Sequence, residues 1–278
     1  MQKVFRLSPV KGRQLLNQLL PLAIKSEQKP YHQLLRLIDC TIAIYDTGSI
    51  VIQGASIPKS LLELMDSNNS TYYGIGVDES GKGDIFGGLV VAAVFIEKEP
   101  DTGMMSDVTD SKKLADARIR SLATLIQKTY PHIIIELTPE EYNTTYSQYN
   151  NINHLLAELH RKAACGLIAT TKSQTVICDQ FAHSSDLLRA KFPPEVILHQ
   201  FHQAESRSLP VAAASILARD RFIRQIDHLA QEWKISIPKG ATFGRATITK
   251  IVKVCGFPSL NKLSKLHFKP IQALLNES

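Results

Sequence analysis

The sequence predicts an α/β layered protein: a mixed sheet flanked by helices, preceded by a small N-terminal α/β domain. Three observations carry this. From Tyr72 onward short β-prone runs alternate with longer amphipathic ones, the pattern of a sheet covered by helices. The first two of these runs are joined by a glycine-containing turn, so they form a hairpin and make the sheet mixed. Before them, Asp66-Ser67-Asn68-Asn69-Ser70-Thr71 is small and polar, which is linker chemistry. The expected organisation is a domain over residues 1–66, a linker over 67–71 and a larger domain over 72–278. A chain of 278 residues, 44% hydrophobic and 21% charged, has the apolar material for both cores.

The first segment opens with a strand-like Lys3–Leu7. Leu15, Leu16, Leu19 and Leu20 follow Pro9 at helical spacing. Cys40–Tyr45 and Ser49–Gln53 are β-rich and joined by Asp46-Thr47-Gly48, a hairpin signal. Ser60–Met65 reads as a short helix.

In the second segment the run ending at Asp78-Glu79 leads into Gly81-Lys82-Gly83, and apolar residues resume over Leu89–Ile96. An amphipathic helix is expected over Ala115–Thr129 and a strand over Ile133–Leu137. Thr138-Pro139-Glu140-Glu141 has the capping-box pattern with proline at the first helical position, so a helix starts there. A long helix spans Ile152–Thr170. Thr175–Cys178 is a strand ending at Asp179, and Val196–His199 is another leading to Glu205. Leu209–Trp233 is helical and opens on small residues, Ala212, Ala213 and Ala214, which let a helix sit close to a sheet. There is no internal repeat and no low-complexity tract.

Charge is unevenly distributed. Residues 1–66 carry 8 Lys/Arg against 5 Asp/Glu, residues 67–205 carry 12 against 17, and residues 206–278 carry 12 against 4. An acidic centre between basic ends suits a cation-binding site facing a phosphate backbone. Apolar runs stop well short of the ~18 residues of a membrane helix. The N-terminus lacks a signal-peptide pattern. Four scattered cysteines form no Cys-x-x-Cys pair, so reduced thiols in a cytoplasmic protein are expected, with neither disulfides nor a zinc site.

Two β-runs end on aspartates, Asp78 and Asp179, and neighbouring strands would bring them to one sheet edge. Glu79 could join them only by leaving regular pleating, because adjacent strand residues face opposite sides. Glu205 is the fourth candidate acid. Carboxylates crowded in this way need cations between them, and an all-oxygen donor set selects Mg²⁺ or Mn²⁺. Two such ions can activate water and stabilise the leaving oxygen of a phosphodiester. Gly76 to Gly83 also resembles a phosphate-binding loop. However, Gly83 stands where that loop needs Ser or Thr, and Asp78 and Glu79 would aim negative charge into it, so that reading fails. His154, His160, His199 and His202 are expected in structural or surface roles. Trp233, Tyr72, Tyr73 and Phe86 are expected in packing, with base stacking open for Phe86.

Three stretches together resemble the type 2 ribonuclease H family: Val77-Asp78-Glu79-Ser80-Gly81-Lys82-Gly83-Asp84, Asp110-Ser111-Lys112-Lys113-Leu114, and Ala212-Ala213-Ala214-Ser215-Ile216-Leu217-Ala218-Arg219. Gly-Lys-Gly in place of Gly-Arg-Gly and the additional N-terminal domain resemble the HIII branch. Pro238-Lys239-Gly240-Ala241 and His267-Phe268-Lys269-Pro270 are similar to its C-terminal part.

The resemblance implies a ribonuclease H-like sheet, a TBP-like N-terminal substrate-binding domain and a monomer. It also implies hydrolysis of the RNA strand of RNA/DNA hybrids with two Mg²⁺ or Mn²⁺ ions, giving 5′-phosphate and 3′-hydroxyl ends. Catalytic and metal-ligating roles fall on Asp78, Glu79, Asp179 and Glu205, where many family members have Asp at the last position. Substrate contacts fall on Ser80, Gly81, Lys82, Gly83, Ser111, Lys112, Lys113 and Arg219, with Arg221 a further phosphate candidate. A glycine turn suits a ribose because it lets backbone groups approach the 2′-hydroxyl. The rival readings are a non-catalytic nucleic-acid binder and a metal-dependent DNA nuclease.

Overall fold

A computed structural model describes residues 2–6, 9–58, 60–61, 72–98, 115–180, 186–240 and 245–276. The expected helix over Ser60–Met65 lies outside these residues beyond Leu61. The 67–71 linker and the motif Asp110 to Leu114 lie outside them altogether. The chain divides into two compact units, Met1–Thr71 and Tyr72–Ser278.

Unit 1 contains β1 (Gln2–Arg6), α1 (Pro9–Leu19), β2 (Lys25–Lys29), β3 (His32–Arg36), β4 (Cys40–Tyr45) and β5 (Ser49–Gly54). These strands form an antiparallel sheet in the order β1-β5-β4-β3-β2. Alternation sorts its faces. Ile42, Ile44, Ile50, Ile52 and Leu35 pack with Leu15 and Leu19 of α1 in one core. The intervening Thr41, Ala43 and Tyr45 of β4 point the other way and are only partly covered. The β2–β3 pair was not foreseen from the sequence. Lys25–Lys29 is Lys-Ser-Glu-Gln-Lys, an exposed edge strand with no apolar period, so only its pairing with β3 reveals it.

Unit 2 is built on a second five-stranded sheet. Its strands are β6 (Gly74–Ser80), β7 (Leu89–Ile96), β8 (His132–Leu137), β9 (Thr175–Asp179) and β10 (Ile197–Phe201). Their order is β10-β9-β6-β7-β8. β6, β9 and β10 are parallel, while β7 runs antiparallel to both β6 and β8, so the sheet is mixed as expected.

The helices are α2 (Asp116–Thr129), α3 (Pro139–Tyr149), α4 (Ile152–Thr171), α5 (Asp186–Arg189), α6 (Leu209–Trp233), α7 (Arg245–Cys255), α8 (Ser259–Leu263) and α9 (Lys269–Leu275). α3 starts as predicted. Glu141 N donates to Thr138 Oγ1 at 3.3 Å, and Thr138 N donates to Glu141 Oε2 at 2.8 Å, a complete capping box contributing about 1 kcal/mol.

The sheet separates two cores. On one side Val90, Ala92, Val94 and Ile96 of β7 pack with α2, α6 and the C-terminal helices. On the other, Ile75, Val77, Leu89, Val91 and Ala93 pack with Tyr142 of α3 and the apolar face of α4. The α6 side is the tighter. A Cβ on Gly76 would lie 2.1 Å from the Pro210 carbonyl carbon and 2.2 Å from Val211 N, so only glycine lets the start of α6 rest on β6.

Candidate active site

The C-terminal ends of β6 and β9 carry the first two acids. Val77 is in register with Cys178, so Asp78 and Asp179 follow at the same level. Val77 and Cys178 both face the α4 core, and pleating therefore turns Asp78 and Asp179 together toward α6. Ser215 of α6 hydrogen-bonds Asp78. Asp179 Oδ1 accepts from Ala204 N at 2.8 Å. That bond depends on a tight turn after β10, in which Gln203 takes a left-handed conformation with φ of 56°. Glu205 follows Ala204 directly, in the single helical turn Ala204–Ser206, and so its backbone stands at the same sheet edge.

Glu79 departs from the sequence-based expectation. The chain does not leave regular pleating to bring it beside Asp78. β6 remains paired with β7 through Ser80, with Glu79 opposite Val91. Glu79 consequently points to the α4 face, where its Oε2 lies 3.1 Å from Nε2 of His160, and its Oε1 lies 3.9 Å from Lys82 Nζ. His160 was expected to be structural or exposed, yet it is 1% exposed and holds a candidate catalytic acid. One signal was available. His160 falls in the apolar stripe of α4 with Leu156, Leu159 and Ala163, where a polar side chain needs a buried partner.

The two adjacent carboxylates are driven in opposite directions. Burial, reinforced by the charges of Glu79 and Asp179, pushes Asp78 well above the usual carboxylate range. Burial also pushes Glu79 up, but the hydrogen bond to His160 and the electrostatic pull of His160 and Lys82 outweigh it, leaving a net lowering. Beneath them Cys178 is fully buried, and burial together with the same acids raises its thiol, so it is inert packing.

Among the described residues no three His, Cys, Asp or Glu side chains already form a metal cluster. The donor set nevertheless fits hard divalent cations: it is all oxygen, and Asp78 bears the mutual repulsion that such a cation would relieve.

The glycine turn follows directly. Gly81 has φ of 92°, and a Cβ there would sit 2.6 Å from the Phe222 ring, so the fold itself demands glycine. Gly83 is different. It is exposed, and a Cβ there would meet nothing within 4 Å among the described residues. Phe86 is fully buried in the α6-side core, which removes it as a base-stacking candidate. Arg219 pairs with Asp116 of α2 at 3.5 Å, and Arg221 pairs with Glu136. Ser111, Lys112 and Lys113 lie outside the described residues.

The ribonuclease HII family profile matches residues 75–271, from β6 into α9 and thus through every acid above. The chain belongs to the type 2 ribonuclease H family. It is a ribonuclease H, an enzyme that cleaves the RNA strand of RNA/DNA hybrids.

Relatives within the family extend the match to the N-terminal unit. Ribonuclease HIII of Chlamydia pneumoniae is 38% identical over 247 residues, covering 82% of this chain and 83% of the relative. That of Streptococcus gordonii is 31% identical over 265 residues, 90% of each. Among solved structures, RNase H3 of Aquifex aeolicus is 28% identical with a TM-score of 0.60, covering 96% of this chain and 100% of that one. Bst-RNase HIII in complex with Mn²⁺ is 24% identical and shares the fold at a TM-score of 0.70, over 100% of this chain and 99% of that one. Among the described residues no helix is long and apolar enough to cross a membrane.

Proposed function

We propose that this ribonuclease H hydrolyses the phosphodiester with two divalent cations, Mg²⁺ or Mn²⁺, held by Asp78, Glu79, Asp179 and Glu205, leaving 5′-phosphate and 3′-hydroxyl ends. The observation that carries this reading is the placement of Asp78 and Asp179 on one face at the ends of adjacent parallel strands. Bst-RNase HIII, of the same fold, binds Mn²⁺. Bound there, the ions would supply Lewis-acid activation of water and stabilise the leaving oxygen.

The chain's own residues do the rest. Asp78 would hold a cation as a carboxylate, and its raised affinity for protons makes that binding compete with protonation. His160 holds the Glu79 carboxylate in one orientation, and the Ala204 amide does the same for Asp179. The Gly81-Lys82-Gly83 turn meets the ribose. Gly83 supports this because, among the described residues, nothing occupies its side-chain space, so a close approach from outside is a reason for glycine there. All four acids come from a single chain, which supports a monomer as the working form.

The N-terminal unit is proposed to bind the hybrid through the sheet face not covered by α1. His32 and Arg36 of β3, with Lys25 and Lys29 of β2 paired beside them, put basic groups on that sheet. Two experiments test these readings. Asp78→Asn should lower cleavage of a labelled hybrid by at least about a thousandfold in saturating Mn²⁺ while hybrid binding survives; undiminished cleavage would sink the assignment. Lys29→Glu with Arg36→Glu should weaken hybrid affinity and make the salt dependence shallower. Unchanged affinity would remove unit 1 from binding.

A further inference from the structure

We propose that Lys265 is a positioning residue for ribose discrimination, fixing from within the core the backbone that shapes the Gly81-Lys82-Gly83 turn. The proposal rests on the reading of that turn as the ribose-contacting element.

Lys265 is fully buried. Its Nζ donates to the carbonyl oxygen of Asp84 at 2.7 Å and to that of Gly87 at 2.9 Å. The rings of Tyr142 and Phe222 lie 5.4 and 5.8 Å from the ammonium. Among the described residues it makes no ion pair with a carboxylate. Burial draws this ammonium down to about 7, the charge of Asp84 pulling the other way. A methionine or leucine would fill such a site without burying a charge. What the lysine provides in its place is a pair of donors that an apolar side chain lacks.

Those donors act on the segment that closes the turn. Asp84 N donates to Gly81 O at 3.2 Å, so the Asp84 carbonyl held by Lys265 belongs to the residue that completes the turn. The strap runs along the backbone as well. Lys265 N donates to Ile85 O and Gly87 N donates to Leu263 O, each at 2.9 Å, with Phe86 bridged to Ser264. The Asp84 carboxylate accepts from Gly240 N. Asn143 of α3 clasps the strap from outside, donating to Ser264 O and accepting from Leu266 N, both at 2.9 Å. Backbone approach to a 2′-hydroxyl is sensitive to shifts of tenths of an ångström, because hydrogen bonds weaken steeply with misalignment. A strap built from two helices and a buried cation supplies that rigidity.

The test compares Lys265→Met with wild type using an RNA/DNA hybrid as substrate and the DNA duplex of the same sequence as competitor. The variant should lose about tenfold of its preference for hybrid over duplex, mostly through KM, while kcat stays within about twofold. Mn²⁺ affinity by calorimetry should not change. A folded variant with wild-type preference overturns the proposal, and so does one that loses kcat and metal affinity together, which marks a merely structural lysine. If melting shows that Lys265→Met does not fold, Asn143→Ala loosens the same strap from outside the core. It should then show the same KM-based loss at about threefold, and a wild-type preference there overturns the proposal. The parent reading fails separately, if Gly83→Ala in the wild-type background leaves the preference intact.

Discussion

The two faces of the catalytic sheet treat neighbouring carboxylates in opposite ways. On the α6 face, Asp78 is packed against a helix that carries Ala212, Ala213, Ala214 and Ser215 in its first turns, with one hydroxyl and a second acid for company. On the α4 face, Glu79 finds a buried imidazole and a lysine. The first environment leaves a negative charge short of positive partners, and the second satisfies one. One carboxylate is therefore left short of positive charge, while the other is already oriented by His160 and Lys82. A pair of acids adjacent in sequence can meet such different surroundings because a strand sends consecutive side chains to opposite sides.

The contrast in packing gives the largest expected effect. Gly76→Ala would drive a Cβ into the backbone of α6 and should destabilise by about 3 kcal/mol or more. Gly166→Ala on α4 meets only the end of the Ile133 side chain, and gains about 1 kcal/mol of helix propensity, so its net change should stay within about 1 kcal/mol of zero. Urea unfolding of the two variants measures both. Equal losses would mean that the faces are packed alike.

Next comes His160. His160→Ala should lower cleavage and Mn²⁺ affinity about 10- to 100-fold by freeing Glu79, and His160→Asn should recover part of both. Wild-type values in the alanine variant would reduce the contact to a packing feature.

The smallest effect is in pH-dependent stability, measured with a chelator present. Asp78 has a raised folded pKa, so its cost appears as pH rises above the unfolded value of 3.8. Glu79 has a lowered folded pKa, so its stabilising contribution is present above 4.5 and lost as pH falls through the folded value. At pH 7, Asp78→Asn should be more stable than wild type and Glu79→Gln less stable. The Asp78 difference should vanish as pH falls below 3.8, and the Glu79 difference only as pH falls further, through its lowered folded value. Same-sign changes at pH 7 would break the comparison of the two faces.

Much of this was legible in the sequence because it is local. The Thr138 capping box fixed where α3 begins. The β-run Gly74–Val77, the glycine turn and the apolar run Leu89–Ile96 located the central hairpin, and the runs ending at Asp78 and Asp179 located two of the acids. β2 was invisible because an exposed edge strand has no apolar period to detect. Phe86 is packed as expected, and stacking had stayed open for it only because closeness to the turn in sequence carries no information about burial.

What the sequence determined by itself was most of the elements of the central sheet and which acids are candidates, since period, caps and residue chemistry are properties of short stretches. Tertiary structure alone decided that β9 lies beside β6 in the register that levels Asp179 with Asp78. It alone brought His160, 81 positions along the chain, onto Glu79. It also set Lys265 beneath the glycine turn. These depend on which strands become neighbours and which helix face meets the sheet, and that choice is made by the packing of whole cores.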